Sequence, residues 1–161
     1  MKKTLGIIFA ASALAASVSA STAQAAAGET VLRLKAIQVE PDVSGDIPGL
    51  DFDGATGRLF CACDAGVLVT LEVRSGKVLD EKPLAGVPDV VFFNRQRQQL
   101  YVAIGDPGVV DVFATSPMAK LATIGTEPGA HTTALSPRGD RLYAFLPRTH
   151  RAAIFDIKAP V

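Results

Sequence analysis

"LDFDGATGRLFCACDAGVLVTLEV", residues 50–73, returns twice along the chain in altered form. The second copy is "VFFNRQRQQLYVAIGDPGVVDVFA" (91–114) and the third is "TALSPRGDRLYAFLPRTHRAAIFDI" (133–157). Superposed, Phe52 falls on Phe93 and Leu135, Leu59 on Leu100 and Leu142, and Phe60 on Tyr101 and Tyr143. Arg58, Gln99 and Arg141 precede the bulky pairs, at offsets of 41 and then 42 residues. A bulky pair that recurs three times at one spacing marks a structural repeat, and a repeat decides the fold before any single motif does.

Each copy reads as short strands. The first strand ends at Phe52, Phe93 or Leu135, and a turn follows: "DGATG", "NRQRQ" or "SPRGD". These turns carry the Gly, Asn, Asp and Ser that chain reversals need. The second strand is "RLFCAC", "QLYVAI" or "RLYAFL", and the third is "VLVTLEV", "VVDVFA" or "RAAIFDI". The first two copies add a fourth strand, "KVLDEKPL" and "KLATIG". The second strands are apolar at consecutive positions, as in a sheet covered on both faces. Four short antiparallel strands in about forty residues make the blade of a β-propeller. An antiparallel sandwich is the alternative, but it supplies no reason for the period. The expected fold is all-β: a partial propeller of about three blades, at 46–87, 88–128 and an incomplete 129–157. Its core should hold Phe52, Leu59, Phe60, Cys61, Cys63, Phe93, Leu100, Tyr101, Leu135, Leu142 and Tyr143.

The repeat also interprets the two cysteines. Cys61 aligns with Val102 and Ala144, and Cys63 with Ile104 and Leu146. Positions i and i+2 of a strand point the same way, ~6.5–7 Å apart, at or beyond disulfide reach. Both cysteines are expected to pack as small apolar side chains. A strained oxidised pair and a metal site are the alternatives, and a metal would need ligands beyond His131 and His150.

The ends of the chain carry further signals. "MKK", an apolar run to Val18 and "AQA" at 23–25 form a secretory leader pattern, with cleavage expected after Ala25 or, second, after Ala20. Removing residues 1–25 from the 161 leaves 136, with 14 basic and 16 acidic side chains and a net charge of −2. That surface has no basic stripe, so nucleic acid is not an expected partner. A chain of this length is expected to form one domain, exported to the periplasm or secreted, with no membrane span once the leader is removed.

"GVPDVVFFNRQRQQLYVAIGDPGVVDVF" (from Gly86) and "GTEPGAHTTALSPRGDRLYAFLPRTHRAAIFDI" (from Gly125) resemble exported YVTN-type β-propeller repeat proteins, the lactonase-like or surface-layer-like propellers. "LDFDGATGRLF" is similar to their common D-x-x-T-G/R-R-L-[FY] turn and strand. The resemblance covers residues 46–157. It is specific for fold and says little of chemistry, because propellers carry many functions. Such proteins commonly close a ring of seven blades, whereas here the third copy ends after its third strand. "VLRLKAIQV" (31–39) reads as one further strand, similar to an outer, fourth one. The chain reads as a truncated family member, an open arc, or half of a ring closed by a second copy.

Candidate binding residues fall at two repeated places. Just before the first strands stand Pro48, Asp89 and His131, and between second and third strands stand Asp64, Asp106, Arg148 and His150. A neutral imidazole ligates metal or shuttles protons, and a carboxylate beside it orients it. His131 and Asp89 therefore lead the set, although Pro48 offers no donor, and Asp64 and Asp106 suit turns equally well. The sequence lacks G-x-S-x-G, H-E-x-x-H, a phosphate-binding glycine loop and C-x-x-C-H. The resemblance implies that related lactonases hold a divalent metal through several axial carboxylates and amides, and this chain supplies about one such group per three copies. No catalytic residue and no cofactor is expected. The sequence points to a non-catalytic binding or scaffold module in the cell envelope, for a small ligand or an envelope protein. The alternative is a metal-assisted lactonase-type hydrolase active only in an assembled ring, for instance a homodimer.

Overall fold

The computed structural model describes residues 46–158. The leader read at 1–25 and the strand read at 31–39 lie outside them. The described strands all belong to the unit of residues 36–161 and form three antiparallel sheets. The first contains β1 (Gly49–Asp53), β2 (Arg58–Cys63), β3 (Val67–Glu72) and β4 (Val78–Pro83), in that order. The second repeats it with β5 (Val91–Asn94), β6 (Gln99–Ile104), β7 (Val109–Thr115) and β8 (Met118–Gly125). The third holds β9 (Thr133–Leu135), β10 (Arg141–Leu146) and β11 (Arg151–Asp156).

Register follows the repeat. Phe52 lies opposite Leu59, Phe93 opposite Leu100, and Leu135 opposite Leu142. One polar residue per copy shapes the first turn, at the aligned positions Asp53, Asn94 and Ser136. The Asp53 carboxylate accepts from Ala55 N at 3.0 Å and from Thr56 Oγ1 at 2.6 Å. Asn94 Oδ1 accepts from Arg97 N at 3.3 Å, and Ser136 Oγ accepts from Asp140 N at 3.1 Å. These side chains hold the reversal in place of ladder bonds, the usual work of short polar turn residues.

The sheets stack through alternating faces. Phe60, Ala62 and Leu68 of the first meet Val91, Leu100, Val102, Ile104 and Phe113 of the second. The rings of Phe60 and Phe93 lie 5.3 Å apart. The opposite face of the second sheet presents Tyr101, Val110 and Val112 to Leu142, with Leu135 and Phe155 beside them. The second sheet is thus covered on both sides, which is why its strands read as continuous apolar runs.

Hydrogen bonds cross the same boundaries. Phe93 N donates to Asp51 Oδ2 at 2.6 Å, and the Arg58 guanidinium donates to Thr115 O. Buried Asn94 donates through Nδ2 to Gly139 O at 2.8 Å. Gly139 has φ +63°, and a Cβ there would lie 2.7 Å from Asn94 Oδ1. Both the left-handed backbone and the close approach require glycine.

Of the expected core, Phe60, Cys61, Cys63, Leu100, Tyr101 and Leu142 are buried. Leu59, Phe93 and Leu135 are partly buried against those clusters, and Tyr143 is half-buried. Phe52 departs from expectation, with 43% of its surface exposed. Its register places it on the first sheet's face away from the second, beside Leu50, which is 55% exposed. The third sheet shows the same effect at the other end of the row. Phe145 is 48% and Ile154 60% exposed, so β10 is not covered on both faces as β2 and β6 are. No further sheet stacks there among the described residues.

Candidate functional site

Asp89 and His131 reach one place from successive repeats. Asp89 enters β5 with its N–H donating to Ala103 O at 2.9 Å, which holds the residue beside the end of β6. Its Oδ2 accepts from Gly105 N at 3.3 Å. His131 precedes β9, and its N–H donates to Gly129 O at 3.0 Å. Gly129 N in turn donates to Gly105 O at 2.6 Å. A Cβ built on Gly105 would lie 3.2 Å from Asp89 Oδ2, 3.5 Å from His131 Cβ and 3.7 Å from His131 Nδ1. Gly105 is therefore the floor between the two side chains, and the absence of a side chain there leaves the gap. Asp89 is half-buried and His131 is exposed. The pair offers one carboxylate and one imidazole. Among the described residues no three His, Cys, Asp or Glu side chains gather as a metal set.

The other candidates do not join them in a single cluster. Exposed Asp64 sits in the β2–β3 turn, its N–H donating to Asp46 O at 3.0 Å. Exposed Asp106 follows β6 and bridges to Val87 through the backbone. A Cβ on Gly86 would lie 2.3 Å from Asp106 O, so this crossing of two loops also needs glycine. His150, exposed, occupies the β10–β11 turn with φ +53°. Arg148 is exposed in the same turn, and its backbone is gripped by Glu127.

Glu127 was not among the residues singled out from sequence. Its Oε2 accepts from Arg148 N at 2.9 Å and Thr149 N at 3.3 Å, and its Oε1 accepts from Thr149 Oγ1 at 2.6 Å. The Thr149 hydrogen bond is the main cause of a lowered Glu127 pKa, with the Arg148 and Thr149 amides adding to it against burial. One carboxylate thus clasps the loop after β8 to the turn of the third sheet. Asp111 is a second such residue. It is fully buried in β7 and accepts from Ala85 N at 2.8 Å, Thr123 Oγ1 at 2.5 Å and Lys120 Nζ at 2.8 Å. A carboxylate in the apolar strand "VVDVFA" was the available signal, since buried charges are kept only when partnered.

The cysteines are free thiols inside the fold. Cys61 is pushed up to about 11 by burial and then by Cys63, and Cys63 is raised by burial, Asp64 and Glu81. Such thiols stay protonated at neutral pH and are poor nucleophiles.

No family model matches the chain, and no curated protein does. Solved structures do match. Kuenenia stuttgartiensis hydrazine synthase aligns over 70% of this chain and 38% of its own, at 14% identity and TM-score 0.58. A chain of a mitotic checkpoint complex aligns over 69% and 36%, at 11% identity and TM-score 0.63. Saccharomyces cerevisiae Sqt1 aligns over 73% and 33%, at 11% identity and TM-score 0.61. The latter two are propeller proteins. The three sheets are blades of a β-propeller. The described blades do not close a ring, and the chain spans about a third of each matched structure, between 33% and 38%. In this frame Asp89, Gly105 and His131 lie where the second and third blades meet, at the strand ends that carry the interblade loops.

Proposed function

We propose that this chain is an exported YVTN-type propeller repeat protein that serves as a non-catalytic binding or scaffold module in the cell envelope. One observation carries the reading. Asp89 and His131, from successive blades, flank Gly105 as an accessible pair held by backbone hydrogen bonds. A rigid acceptor and an imidazole at a blade junction suit recognition of a hydrogen-bonding partner. The leader pattern at 1–25 and the YVTN-like repeats support the export and family parts of the reading.

Two measurements test it. Calorimetric titration with Ca²⁺, Mn²⁺ and Zn²⁺, with a lactone-opening assay alongside, is expected to show neither metal binding nor turnover. Metal-dependent lactone hydrolysis would replace the proposal with the lactonase reading. Fractionation of the expressing host is expected to recover the protein outside the cytoplasm with Ala26 at its N-terminus. Recovery with Met1 intact in the cytoplasm would remove the envelope assignment.

A further inference from the structure

The first two blades end in a fourth strand, β4 or β8, and the third ends at β11 among the described residues. That difference leaves a specific gap. Between the first two blades, Met118 of β8 and Leu84, just after β4, close the outer rim of the core around Phe60 and Phe113. At the corresponding rim between the second and third blades lies a groove of about 240 Å³. Tyr101, Val112, Leu121 and Ile124 line it from one side, and Phe155 and Ile157 from the other. No residue of the described chain plays the part of Met118 there. Beside the groove, β11 pairs with β10 along one edge and has no partner strand on the other among the described residues.

We propose that this edge and groove receive residues 31–39, "VLRLKAIQV", of a second copy of the chain, added to β11 as a fourth strand. The segment has the required character. Leu32 and Leu34 alternate with Arg33 and Lys35, an apolar row for the groove and a charged row for solvent. The alternation then slips at Ala36–Ile37. Both existing fourth strands pair with a register shift, at Thr70/Leu71 and Val112/Phe113, so a one-residue slip is how this position is filled. Backbone hydrogen bonding to an open sheet edge supplies the affinity, and one apolar side chain in the groove supplies the register.

The geometry favours a second copy over the chain's own segment. Asp46 is bonded to Asp64 of the first blade, at the far end of the row from β11. The seven residues from 39 to 46 span at most ~23 Å when extended. Two sheet spacings of ~10 Å and the width of a blade use that length before any detour around the stack. Exchange between two copies gives each a fourth strand and closes the pair, so association stops at the dimer.

Light scattering and hydrogen exchange on the full chain test this. Between about 1 and about 100 µM, the mass is expected to double and the β11 amides Arg151–Asp156 to exchange ~10-fold more slowly. A peptide spanning residues 29–41 in excess should return the mass to one chain while keeping β11 protected. Leu32→Asp with Leu34→Asp should abolish both the doubling and the protection. So should Leu121→Asp on the exposed groove wall. A monomer at every concentration overturns the proposal, as does a dimer that survives these substitutions. Concentration-independent β11 protection in a monomer would assign the edge to the chain's own segment and overturn the second-copy source.

Discussion

At the scale of single residues, position within the repeat governs what a side chain can be. Cys61 takes the place of Val102 and lies among Val69, Leu71 and Cys63 with almost no exposed surface. Cys61→Val nearly conserves volume and is expected to cost less than ~1.5 kcal/mol in urea unfolding. Cys61→Asp buries a charge without a partner and is expected to lose the cooperative transition. A folded, cooperative Cys61→Asp protein would show that this blade face is wet. Gly139 is constrained in another way, by φ +63° and by contact with Asn94. Gly139→Ala adds left-handed strain to that clash, and a loss of ~1–3 kcal/mol is expected from chemical denaturation. An unchanged midpoint would mean that the Asn94–Gly139 contact is not formed in solution.

At the scale of strands and sheets, stability between blades rests on polar ties as well as on apolar stacking. Asp111 of β7 joins the fourth strand of its own blade, through Lys120 and Thr123, to the backbone of Ala85 in the preceding connection. Asp111→Ala leaves the Ala85 amide and the Thr123 hydroxyl without their acceptor. A loss of ~1–3 kcal/mol is expected, the Lys120 part being discounted because that side chain is about a third exposed. Thr123→Val, which removes one donor and keeps the carboxylate, should cost about 1 kcal/mol or less. Equal losses from the two variants would show that the carboxylate is not the centre of the tie. The Glu127 clasp on Arg148 and Thr149 has the same role in the loops, tying the connection after β8 to the third blade's turn.

At the scale of the whole molecule, these groups set opposite limits on the pH range of stability. The folded thiols lie above their ordinary value of 9.0, Cys61 at about 11. Their contribution is whole below pH 9 and drains as the pH rises through the folded values. The carboxylates run the other way. Asp53 is pushed up by burial but held below 3.8 overall by Thr56, Ala55 and Arg58, and Asp140 is held below 3.8 chiefly by Ser136. Glu127 lies below 4.5. Their contribution is present above those ordinary values and is lost as the pH falls through the folded ones. The melting temperature is expected to be flat near neutrality and to fall on both sides, with Cys61→Val flattening the alkaline limb and Glu127→Gln the acid limb. An alkaline limb unchanged in Cys61→Val would refute the thiol assignment. By itself the sequence determined the second strand of each copy to the residue, the later strands to within two residues, the repeat and the propeller class, because turn chemistry and consecutive apolar positions are local and recur in register. It also singled out Asp89 and His131, as the polar residues standing before two first strands. Only the tertiary structure decided that they meet over Gly105, that Phe52, Phe145 and Ile154 stand exposed at the ends of the row, and that Asp111 and Glu127 tie blades together. Burial and hydrogen bonding at those positions depend on which blade lies alongside, and a residue's own repeat does not encode its neighbour's surface.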